Sequence, residues 1–144
     1  MRPARTAAAG LLLVAALFRS AGADADPASL LIGRWAGDIQ MAGGTYPRTL
    51  VVKSVRDASG ASRVDAVYGG TGHDFGTEDP RPAPVAASIE AFGGDAILRF
   101  RSPEGWPVQL TLSRDRRYLY GDLRISATLG GMRAINPIRL DRVD

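Results

Sequence analysis

His73 is the only histidine in the chain, and Asp74, Glu78 and Asp79 follow it closely, so acid–base or metal chemistry would be sought here first. A general base needs a nucleophile to deprotonate and a partner to orient it, and a metal needs several converging ligands. The acidic residues around His73 do not follow the ligand spacing of an EF-hand calcium loop. A solvated loop is the commoner role for such a stretch. Serine hydrolysis would need a presented nucleophile; no Gly-x-Ser-x-Gly elbow exists, and Ser59-Gly60 reads as an ordinary turn. A glycosidase would need two carboxylates facing each other across a cleft, and nothing pairs the glutamates Glu78, Glu90 and Glu104. The glycine pairs at 43–44, 69–70, 93–94 and 130–131 sit in no Gly-x-Gly-x-x-Gly or phosphate loop and read as turns. There is no cysteine, which removes disulfides, thiolate metal sites and a cysteine nucleophile. We expect no enzymatic activity, no metal and no cofactor.

The side chains that could bind something are aromatic and cationic. Trp35, Tyr68, Phe100 and Trp106 fall at positions predicted to face inward and are the candidates for lining a ligand site, although large aromatics at such positions more commonly fill a core. Arg99, Arg101 and Arg124 fall on the polar faces of neighbouring predicted strands; they could form a shallow anion or partner site, or stand solvated.

The elements that must position these residues are strands. The stretch Leu31-Ile-Gly-Arg-Trp-Ala-Gly-Asp-Ile-Gln-Met41 alternates, with Leu31, Trp35, Ile39 and Met41 on one face and Arg34, Asp38 and Gln40 on the other. A tryptophan between Gly33 and Gly37 implies room beside the indole and a bend in the strand. A β-branched run from Arg48 to Arg56 and another strand from Arg63 to Gly70 follow, and the buried face of the run at 48–56 is ambiguous. Residues 71–84 hold three prolines and two glycines and make the longest loop. Val85, Ala87 and Ile89 then alternate, as do Leu98 with Phe100, Trp106 through Leu112, and Leu119 through Ala127; a last strand carries Ile138 and Leu140. No stretch of the mature chain carries a helical apolar period. About eight strands joined by short turns predict an all-β antiparallel up-and-down meander closing into a small barrel, with a β-sandwich as the alternative.

Residues 1–23 precede this domain and read as a secretory signal peptide: Arg2 and Arg5, an apolar run from Ala7 to Phe18, and small residues that place cleavage after Ala23 or Ala25. The run is too short for the ~20 residues that cross a bilayer. Residues 24–29 form a polar lead-in, and residues 30–144 the barrel domain. The chain has 18 basic and 15 acidic residues; three of the arginines lie in the leader, which leaves the mature protein near zero net charge. Such a protein has no global field to draw it to nucleic acid or an anionic membrane. With no cysteine to lipidate after the leader, the expected location is the periplasm or the exterior. Lys53 is the only lysine, an arginine bias that points to a bacterial genome.

The Gly33-x-Trp35-x-Gly37 opening, the run of short alternating strands and the final Asn136-Pro-Ile-Arg-Leu-Asp-Arg-Val143 stretch resemble the lipocalin-like (calycin) barrels, in particular small secreted bacterial lipocalin-like domains. The resemblance spans roughly residues 30–143, and avidin-like and protease-inhibitor-like barrels are similar too. It implies that Trp35 plugs one end of the barrel under an arginine from the last strand, Arg142 by parity or Arg139 second, as a barrel-closing cation–π pair. The chain is shorter than lipocalins and lacks their C-terminal helix and cysteines. The expected function is that of a non-catalytic binding module carrying a small apolar or amphipathic ligand at the barrel mouth. The alternative is a protein-interaction module, a periplasmic inhibitor or accessory subunit using the 71–84 loop and the rim around a filled core.

Overall fold

The computed structural model describes residues 28–58, 61–71, 81–92, 94–126 and 133–144. A 3-10 turn at Ser29–Leu31 leads into eight strands: β1 (Gly33–Met41), β2 (Gly44–Ala58), β3 (Ala61–Gly70), β4 (Ala83–Phe92), β5 (Asp95–Arg101), β6 (Pro107–Leu112), β7 (Tyr118–Ser126) and β8 (Arg133–Arg142). Each pairs antiparallel with the next, and β1 pairs with β8 as well as β2, so the meander closes into a barrel and no sheet edge is left open. The sandwich alternative is excluded by that last pairing. In such a meander the β1–β2, β3–β4, β5–β6 and β7–β8 connections gather at one end, the mouth. The start of β1 and the end of β8 lie at the other.

Alternation decides what goes inside. Trp35 and Ile39 of β1, Leu98 and Phe100 of β5, Val108, Leu110 and Leu112 of β6, and Leu119 and Leu123 of β7 are buried in one continuous core. Charged residues of the intervening positions, among them Arg34, Asp38, Arg63, Asp65, Arg99 and Arg101, stand on the outer wall. This is the reverse of a transmembrane barrel, whose apolar band faces outward. No helix among the described residues is long and apolar enough to cross a membrane.

The ambiguity of the run at 48–56 has a physical cause. Val52 pairs with Ala66 and Ser54 with Asp65, so Lys53 is the extra residue of a β-bulge. Before it, even positions point inward, as Leu50 and Val52 do; after it, Val55 packs against the core from an odd position. A single inserted residue exchanges the two faces, which no period-two pattern can register.

The first strand begins two residues later than its alternation predicts. Gly33 takes φ 138°, a value side chains rarely adopt, and Leu31 folds back in the 3-10 turn to be fully buried across the barrel end. At Gly37 a Cβ would stand 1.9 Å from the Arg139 carbonyl oxygen of β8. Only a glycine lets the two strands come that close.

Candidate functional site

The four aromatic candidates reach one continuous core: Trp35, Tyr68 and Phe100 are buried in it and Trp106 packs against it. Trp35 lies two residues from the start of β1 and pairs with Arg142, the last residue of β8. Across the sheet Trp35 pairs with Leu50 and Leu50 with Tyr68, so Trp35 and Tyr68 lie in one cross-strand row. Trp35 is 1% exposed, and its indole Nε1 donates to the Leu31 carbonyl at 2.9 Å. The Arg142 guanidinium lies 4.2 Å from the centroid of the Trp35 ring system. It also donates to the carbonyls of Ile32, at 3.1 Å, and Leu30. Arg139, the second candidate, instead sits on the outer wall over Tyr118, 4.1 Å from the ring centroid. Arg142 thus fastens the last strand to the turn that precedes the first, and its work is structural.

At the mouth, Tyr68 and Phe100 meet edge to face with centroids 5.0 Å apart, and they are 2% and 5% exposed. They fill the interior with each other. Trp106 is half-buried against the same core from the β5–β6 turn. That turn is tied by the Ser102 amide donating to the Trp106 carbonyl at 2.8 Å and by the Trp106 amide donating to Ser102 Oγ at 3.1 Å.

Sequence reasoning missed two inward polar residues here. Arg48 is 2% exposed, and its guanidinium donates to the carbonyls of Pro47, at 2.8 Å, and Thr71, at 3.1 Å. Asn136 is buried and donates from Nδ2 to the Leu123 carbonyl at 3.2 Å. The available signal for Arg48 is its parity with Leu50 and Val52. An arginine is so seldom buried that parity alone does not overrule its type.

Arg99, Arg101 and Arg124 are brought together. Cross-strand pairing sets Arg101 beside Pro107, and sets Gln109 between Arg99 and Asp122. Around them the outer wall of β4–β7 carries a hollow of about 440 Å³, with Ala86 and Pro107 among its lining residues. Short side chains at those two positions leave the space that the longer neighbours enclose. Arg99 is ion-paired with Glu90 and donates from Nε to Gln109 Oε1 at 3.3 Å, and Arg124 Nε lies 3.0 Å from Asp122 Oδ1. Arg101 donates to the Gly105 carbonyl at 2.8 Å.

His73, Asp74, Glu78 and Asp79, most of the 71–84 loop, Ser59-Gly60 and the leader lie outside the described residues. Among the described residues no three His, Asp or Glu side chains cluster as metal ligands would. Glu90 and Glu104 fall on β4 and in the β5–β6 turn, and Glu90 is occupied by Arg99.

The fold defines a class: a closed, eight-stranded, antiparallel up-and-down β-barrel with an apolar interior and a charged outer wall. Comparison with family models, with curated proteins and with solved structures finds no match to the chain.

Proposed function

We propose that this chain is an exported, non-catalytic binding domain of lipocalin-like kinship that engages a protein partner through its outer surface instead of carrying a small molecule inside. The observation that carries the reading is the filled interior. Tyr68 and Phe100, the residues best placed to line a cavity at the mouth, spend their surface on each other and on the core. An eight-stranded barrel has an interior about as wide as its own side chains need, so large inward residues at that level leave little room for a guest. The kinship is supported by the Gly33-x-Trp35-x-Gly37 opening, the eight-strand meander and the Arg142–Trp35 contact. Export is supported by the basic-then-apolar leader with its small-residue cleavage sites.

Native mass spectrometry of the protein purified from a periplasmic extract tests this. The expected spectrum is a bare polypeptide beginning at Asp24 or Asp26. An added mass of a few hundred daltons that leaves on denaturation would return the function to small-ligand carriage. A chain that keeps residues 1–23 would refute export.

A further inference from the structure

We propose that the hollow over β4–β7 is a docking site for an acidic, extended segment of a partner protein, whose carboxylates are received by Arg101 together with Arg99 and Arg124. The proposal rests on the reading that the domain works through its outer surface, and it says where on that surface and with what chemistry.

Charge is the first argument. Three guanidinium groups border the hollow and two carboxylates answer them, Glu90 on Arg99 and Asp122 on Arg124. Arg101 gives a hydrogen bond to the neutral Gly105 carbonyl and, among the described residues, makes no ion pair. A guanidinium carries five N–H donors in a planar fork that matches a carboxylate, so Arg101 keeps most of its donors available at an exposed position. The hollow is therefore short of one negative charge, in a protein whose mature chain has almost no net charge to attract anions generally.

Shape and composition are the second. At about 440 Å³ the hollow has the capacity of a ligand site. Arg99 and Arg101 are alternate residues of one strand, so their Cα atoms stand about 7 Å apart, which is also the spacing of alternate side chains in an extended peptide. On β7 and β8 the outer wall continues into Tyr120, 47% exposed, and Ile135, 65% exposed; Ile135 is paired with Arg124. Tyrosine and arginine are the residue types enriched at protein interfaces, and they are gathered on this wall. A free inorganic anion could use the arginines but would leave Ile135 and Tyr120 without a role, which is why a peptide segment is the better fit.

The test is a titration of the isotope-labelled full mature protein, followed by backbone amide shifts. The probes are an acetylated peptide of alternating glutamate and valine, the same peptide with glutamine for glutamate, and inorganic phosphate. The expected result is saturable shifts confined to β5–β8, with the glutamine peptide and phosphate both much weaker. Arg101→Gln should lower affinity for the acidic peptide about tenfold, the loss of one charge-assisted contact. Lys53→Glu, an exposed change on β2 at the opposite side of the barrel, should leave affinity unchanged. Equal losses in the two variants, equal binding of the glutamine peptide, or equal binding of phosphate would overturn the proposal. Absence of binding by a protein with a bare mass would sink the docking site and spare the partner-binding reading. Peptide binding by a protein that also carries a small molecule would do the opposite.

Discussion

Removing Arg142 should loosen the end of the barrel where β1 begins and β8 ends, and the structure sets the scale. The guanidinium over Trp35 is worth about 1 kcal/mol at a partly buried site. Its side chain is 28% exposed. Its two hydrogen bonds to the Leu30 and Ile32 carbonyls contribute about 1 kcal/mol each after allowing for that exposure. The 3.5 Å ion pair with Asp144, 44% exposed, adds close to nothing. Arg142→Met keeps the aliphatic stem and removes all of the rest, so the expected loss is about 2–3 kcal/mol. Arg142→Lys keeps the charge but not the planar fork, and should fall about midway. Urea unfolding followed by tryptophan fluorescence measures both. Trp35→Ala, which empties a fully enclosed site, should cost about 3–5 kcal/mol. In a double-mutant cycle Arg142→Met and Trp35→Phe should couple, because the guanidinium rests on the indole face. An Arg142→Met protein within about 0.5 kcal/mol of the parent would refute the fastening role, since that is the scatter expected of an ordinary surface change.

Gly121→Ala places a Cβ 1.8 Å from the Gln109 carbonyl oxygen of the neighbouring strand; β6 and β7 must part, and a loss of about 2–4 kcal/mol is expected by the same urea assay. In the β6–β7 turn the Ser113 hydroxyl donates to Asp115 at 2.6 Å, and with the Arg117 amide it holds the Asp115 carboxyl below its ordinary value. A depressed carboxyl stabilises the fold above its unfolded value near 3.8 and loses that contribution as pH falls through the folded value. The stability difference between parent and Asp115→Asn should therefore narrow below about pH 4 in thermal melts, and a difference that stays constant down to pH 2 would contradict it.

Much of the barrel was legible because its signal is local. Side chains alternate along a strand whatever lies beside it, so Trp35 and Ile39, Leu98 and Phe100, and Leu119 and Leu123 declared the inner face, and the turn glycines between them declared a meander. The likeness of the first and last strands to lipocalin-like barrels pointed to Arg142 as the partner of Trp35. Tertiary structure alone decided what depends on pairing between strands. The bulge at Lys53 exchanged the faces of β2, so that Val55 packs inward from an odd position after Leu50 and Val52 do so from even ones. Strand pairing set Trp35, Leu50 and Tyr68 in one cross-strand row and brought Tyr68 edge to face with Phe100. Register then set Arg101 against Pro107 and Gln109 against Asp122, turning scattered outward arginines into one bordered hollow. Period two is a property of each strand by itself, whereas register and direction are properties of neighbours distant in the chain. The sequence by itself therefore determined which residues face inward along most strands, and only the closed sheet decided which of them meet.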